Sequence, residues 1–153
     1  MAHILYVDLS AKAEQWTKAS AVAASNDHNR VLLITAKAKA QIRQVIRRRY
    51  SRKLEQYRLL AALVYLVVKP DLPNVNYVVI DSDYAGQAVE SQIKEFLIQL
   101  IRRDKPDATA GMIRFQPVKG KPADKLAKQV FDGALPADRT LTVEKLEELF
   151  QRK

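Results

Sequence analysis

The sequence predicts an α/β domain. Its core is a mixed five-stranded sheet in the order β-β-β-α-β-α-β-α, with one further helix at the carboxyl end. Three observations carry this. Residues 3–9 (HILYVDL) and 77–80 (YVVI) are short, continuous runs rich in β-branched and aromatic side chains, the pattern of strands covered on both faces. Residues 18–25 (KASAVAAS), small side chains in partial alternation, and the apolar run 30–35 (RVLLIT) are two more strand candidates, separated by Asn26, Asp27, His28 and Asn29, a turn by composition, so they read as an antiparallel hairpin. Apolar residues then recur at spacings of three and four from Ile42 to Val67 and again from Val89 to Ile101, as helices connecting strands would require.

The first helical signal runs without Gly or Pro from residue 37 to 68 and is ended by Lys69-Pro70. It fits one helix of about 48 Å, or two helices broken near Tyr50 with Ser51 as the N-cap. Its first half is basic and its second half apolar. The second half is therefore expected on the sheet, and the first half in solvent or over a ligand. Asp71 to Asn74 form a turn before the strand that exits at Asp81. Residues 112–118 (MIRFQPV) alternate as a fifth strand, with Pro117 marking an edge or an end. Pro122 suits a helix start, and a short helix follows through Phe131. Residues 1–133 read as one domain; residues 134–153 read as a linker and an amphipathic helix packed on it.

Half of the 153 residues are apolar, enough for a real core, yet the longest uncharged apolar run, residues 59–68, is too short to span a membrane. The amino end has no basic segment ahead of its apolar run, so no signal peptide is expected. There is no cysteine, which excludes disulfides, thiolate metal sites and a cysteine nucleophile and fits a cytoplasmic protein. Two histidines, His3 and His28, leave little material for a Ser-His-Asp triad or a His-rich zinc site. The net charge is +9 and mostly local. Lys37, Lys39, Arg43, Arg47, Arg48, Arg49, Arg52, Lys53 and Arg58 face only Glu55 in their segment. Such a block predicts a polyanionic partner, with nucleic acid (DNA or RNA) foremost; the plainer alternative is a solvated helix face. Lys119, Lys121, Lys125 and Lys128 form a second, smaller basic group.

Asp8 and Asp81 both stand where a buried strand exits. If those strands are parallel neighbours, the two acids lie side by side at the carboxyl edge, where α/β sheets place ligands. Glu55 begins the apolar half of the long helical pattern, and Asp124 lies in the first turn of the helix after the fifth strand. Each has an ordinary alternative: a turn or cap residue, a surface partner of Lys or Arg, or a carboxylate drawn to a helix N-terminus. Together, four unpaired carboxylates would repel one another, and Mg²⁺ or Mn²⁺ would relieve them. Two such ions about 3.5–4 Å apart activate water and hold both oxygens of an in-line phosphodiester displacement. Asp83 shares a strand face with Asp81 and either joins it as a ligand, replaces it, or faces solvent. Trp16 and Tyr84 either stack on bases or pack internally. Ser82 has no base beside it.

The ordered set YVDLS (Asp8), RKLEQYRLLAAL (Glu55), VVIDSDY (Asp81) and VKGKPADKLA (Asp124) resembles the ribonuclease H-like superfamily across residues 3–131. That resemblance implies a ribonuclease H-like mixed sheet. It also implies a metal-dependent nuclease, with Asp8, Glu55, Asp81 and Asp124 holding two Mg²⁺ or Mn²⁺ ions. Arg43, Arg47, Arg48, Arg49, Arg52, Lys53, Arg58, Lys119 and Lys121 are then expected to contact nucleic acid. The stretch after Asp8 is SAKAEQW where many members are Gly-rich, and the short loop just before Asp124 lacks the His found there in many members. The substrate is therefore open among RNA of RNA/DNA hybrids and single-stranded or branched DNA. The alternatives are a non-catalytic nucleic-acid-binding module of the same fold and a basic adaptor for an acidic protein.

Overall fold

The computed structural model describes residues 3–10, 15–26, 29–50, 52–81, 87–118 and 121–151. The strands are β1 (Ile4–Ser10), β2 (Ser20–Ser25), β3 (Asn29–Ile34), β4 (Tyr77–Asp81), β5 (Ile113–Gln116) and β6 (Arg139–Thr140). The helices are α1 (Ala36–Arg49), α2 (Glu55–Val68), α3 (Gln87–Ile101), α4 (Pro122–Phe131) and α5 (Val143–Gln151). The sheet order is β5-β4-β1-β2-β3-β6. β2 runs antiparallel to β1 and β3, while the β1–β4, β4–β5 and β3–β6 pairs are parallel. The expected hairpin and the pairing of β1 with β4 are both present.

The sheet has six strands among the described residues, one more than expected. The sixth lies inside the stretch read as a linker. Val31 N–H donates to Asp138 Oδ2 at 2.7 Å, Asp138 N–H to Val31 O at 2.8 Å, and Leu141 N–H to Leu33 O at 2.7 Å. A two-residue strand carries no period, so these bonds had no sequence signature.

Residue parity along the strands divides the core in two. Leu5, Val7, Val22, Ala24, Leu32, Ile34, Val78 and Ile80 join the core formed with α1, α2, α3 and α5. Val79, Ala21, Ala23 and Val31 face the other way, against Ala123, Ala127 and Val130 of α4. β2, with the sequence SAVAAS, is buried at every position. Its small side chains leave room for a helix layer on each side.

α2 is buried at eleven of its 14 positions, the signature of a central helix. Truncating Leu59 or Leu63, both fully buried, to Ala would cost roughly 3 kcal/mol. No helix among the described residues is long and apolar enough to cross a membrane.

The helical pattern of residues 37–68 is two helices. Thr35 Oγ1 caps α1 by accepting from Ala38 N–H at 3.1 Å. The helix stops at Tyr50, whose backbone is extended (φ −138°, ψ 166°). A 3-10 turn, Arg52–Leu54, leads into α2, which has no side-chain cap at Leu54. Ser51, the expected cap, lies outside the described residues.

Candidate functional site

The parity that splits the core also aims the acids. Asp8 follows Ile4 and Tyr6 on the α4 face of β1, and Asp81 follows Val79 on the α4 face of β4. The two strands are adjacent and parallel, with Val7 opposite Ile80, so both carboxylates sit at one edge. α4 lies across that face and starts there. Pro122 at its first position and Ala123 and Ala127 against the sheet fix its rotation, leaving Asp124 half-buried in its first turn.

Asp8 is the deepest of the three, 7% exposed. Its Oδ1 accepts from Leu9 N–H at 2.8 Å. Burial pushes its carboxyl up to about 8; a hydrogen bond with Asp124 and the charge of Asp81 add to the rise. At neutral pH Asp8 therefore keeps its proton and donates it towards Asp124. Asp81 Oδ1 accepts from Val118 N–H at 2.9 Å, which ties the end of β4 to the chain leaving β5. The lysine at the α4 N-cap, Lys121, places its Nζ 5.1 Å from the centre of the Tyr6 ring, two residues from Asp8.

Glu55 is not brought into this group. It opens α2, on the sheet face away from α4. Its side chain is 5% exposed, and both oxygens are committed: Arg43 Nε donates to Oε1 at 2.7 Å, Arg47 Nε to Oε2 at 2.7 Å and Arg47 Nη2 to Oε1 at 3.1 Å. Burial alone would raise its carboxyl, but the Arg47 and Arg43 guanidiniums outweigh burial and hold it below the ordinary glutamate range. Of the four acids expected to share ions, three converge and the fourth closes an arginine clamp.

The basic block divides accordingly. Arg43 and Arg47 hold Glu55, and the Arg43 guanidinium also covers the half-buried Trp16 ring at 4.5 Å. Arg58 is packed between Tyr50 and Phe96, 3.7 and 4.0 Å from their ring centres. Burial lowers its pKa from the ordinary value. These three expected phosphate contacts are engaged within the protein. Lys39 is fully buried, with Nζ donating to Gln15 O at 3.1 Å. Arg48, Arg49, Arg52 and Lys121 are exposed. Asp83, Ser82, Tyr84 and Lys119, and the side chain of Lys53, lie outside the described residues.

The clamp had no sequence signal, because it closes across a bend whose position the pattern left open. Arg43 and Arg47, at i and i+4, announced only a shared face.

Hard oxygen donors at Asp8, Asp81 and Asp124 suit Mg²⁺ or Mn²⁺ in chemistry. Among the described residues, no group of three or more such side chains is arranged to hold an ion. The fold and this edge define an α/β protein with a three-aspartate cluster between its two central parallel strands and a helix start. Comparison with family models, curated proteins and solved structures finds no match for the chain.

Proposed function

We propose that the chain is a cytoplasmic, divalent-metal-dependent nuclease of the ribonuclease H-like fold that hydrolyses phosphodiester bonds. The observation that carries this is the convergence of Asp8, Asp81 and Asp124 from β1, β4 and α4 on one face of the sheet's carboxyl edge. The sheet order β5-β4-β1-β2-β3, with β2 antiparallel, supports the fold assignment. Mg²⁺ or Mn²⁺ at this edge would activate the attacking water and offset charge on the scissile phosphate. Asp8, Asp81 and Asp124 would be the residues that hold the ions. Asp8, protonated at neutral pH, would have to give up its proton to serve as a ligand. Lys121, beside β1, and the exposed Arg48, Arg49 and Arg52 draw in the backbone of DNA or RNA.

Cleavage of labelled hybrid, single-stranded and branched substrates with Mg²⁺, beside the Asp81→Asn variant, tests this. Mg²⁺-dependent cutting that Asp81→Asn abolishes is the expected result. A second reading, a non-catalytic nucleic-acid-binding module, is favoured by Glu55, whose two oxygens are spent on arginines. Salt-sensitive binding without cleavage of any substrate selects it.

A further inference from the structure

We propose that a cavity at the amino-terminal edge of the sheet binds a soluble organic phosphate, a phosphate monoester on an apolar body. The cavity has a volume of about 410 Å³, within the range of small-ligand sites. It lies at the opposite end of the strands from the aspartates, because Arg30 opens β3 and Lys69 and Pro70 follow the end of α2. It does not depend on the nuclease reading.

Two halves of the lining point to two halves of a ligand. Leu32, Leu66, Pro70 and Leu141 supply an aliphatic wall. Arg30, Lys69, Arg139 and Lys145 supply cations from β3, the turn after α2, β6 and α5, with Asp138 the only acid among the described lining residues. Arg30 is already offset: Nη1 donates to Asp71 Oδ2 at 2.6 Å and to Val67 O at 3.3 Å. Asp138 Oδ2 is occupied by Val31 N–H. Lys69, Arg139 and Lys145 have no ion-pair partner among the described residues; Lys69 Nζ stands 5.6 Å from the centre of the Tyr65 ring.

Three cations around one cavity, against one engaged carboxylate, repel one another. They call for more than the single charge of a carboxylate. A phosphate monoester carries about −1.5 to −2 at neutral pH and offers three acceptor oxygens to separate donors. The aliphatic wall then takes the ester's carbon body, whose burial adds affinity with each methylene.

The test is titration of the full chain with methyl phosphate, hexyl phosphate and hexanoate, read by amide chemical shifts. Hexyl phosphate is expected to move residues around Leu32, Leu66 and Leu141. It should bind at least about ten-fold tighter than either methyl phosphate or hexanoate. Arg139→Glu/Lys145→Glu should weaken it about ten-fold or more with the dispersion of the spectrum retained; Asp81→Asn should leave it unchanged. Equal affinity for methyl phosphate or hexanoate, no binding at millimolar hexyl phosphate, or loss of binding in Asp81→Asn overturns the proposal. A short oligonucleotide without terminal phosphates, or vesicles containing phosphatidate, should not compete. Competition by either would reassign the cavity to nucleic acid or to a lipid surface and likewise overturn it.

Discussion

Glu55 and Arg47 bridge the bend between α1 and α2 with two parallel hydrogen bonds, Nε to Oε2 at 2.7 Å and Nη2 to Oε1 at 3.1 Å. The carboxylate is 5% exposed, while the guanidinium keeps about a quarter of its surface in water (24%). Arg43 completes the clamp from one turn earlier on α1. The bend is thus set by charge as well as by the packing of Tyr50 against Phe150, whose rings meet edge-on at 6.3 Å.

Removing the charge from Glu55 leaves two arginines half-paired beside a buried amide. Because both arginines still reach water, the cost falls below that of a fully buried pair: Glu55→Gln is expected to destabilise by about 2 kcal/mol in urea unfolding. The pH dependence has a definite sign. The folded carboxyl titrates below its ordinary 4.5, so its contribution is present above that value and is lost as pH falls through the folded pKa. Wild type and Glu55→Gln should therefore converge in stability as pH falls below 4.5 and through the folded pKa. A gap that persists undiminished into acid would contradict the clamp.

Asp8 has the opposite sign. Its folded pKa is raised from 3.8 to about 8, so the native state keeps a proton that the unfolded chain releases. Stability from protonated Asp8 is complete below about pH 4 and is lost progressively as pH rises towards 8, with a slope of up to about 1.4 kcal/mol per pH unit. Asn at this position donates to Asp124 without titrating. In chelator, Asp8→Asn should match wild type near pH 4 and exceed it by roughly 5 kcal/mol at pH 8. Parallel pH profiles for the two proteins would be inconsistent with a buried, proton-bearing Asp8.

The legible parts of this molecule are those where a period ran long enough. β1 and β4 were readable as apolar runs, and once they are parallel neighbours the placement of Asp8 and Asp81 follows from alternation alone. Asp124 was readable because Pro122 marks the helix start. The fate of Glu55 was not, since a carboxylate opening a helix looks the same whether it faces an ion or two arginines. β6 was invisible for want of length. Lys39 and Arg58 count in the basic block with their neighbours because charge counts ignore direction: Lys39 is fully buried, and the Arg58 guanidinium lies between two aromatic rings. Long cationic side chains pack their stems and planes as readily as they reach water.

That distinction within the basic block is measurable. Arg48 and Arg49 are exposed at the end of α1, so Ala there should change stability by less than about 0.5 kcal/mol. Each Ala should also flatten the salt dependence of nucleic-acid binding by nearly one phosphate contact. Arg58→Ala should do the reverse. Losing contact with both the Tyr50 and Phe96 rings is expected to cost about 2 kcal/mol of stability while leaving the salt slope unchanged. Equal slopes for wild type and the Arg48→Ala/Arg49→Ala double variant would remove this end of α1 from the nucleic-acid surface.

The division between the three aspartates and Glu55 predicts how the protein responds to metal. A cation that binds only the folded chain stabilises it by about 1.4 kcal/mol at ten times its dissociation constant. On the proposed nuclease reading Asp8 would have to lose its proton to become a ligand, so Mg²⁺ and the proton would compete for one site. The Mg²⁺-induced rise in melting temperature should accordingly be larger at pH 8 than at pH 6, because less proton has to be displaced. Asp81→Asn and Asp124→Asn should abolish that rise, since each removes an oxygen donor from the same face of the edge. Glu55→Gln should melt lower than wild type yet keep the full Mg²⁺-induced shift, because its carboxylate stands on the other face and is held by Arg43 and Arg47. Loss of the shift in Glu55→Gln would mean that the glutamate leaves its arginines to join the ion, and that the clamp is the resting form of a ligand.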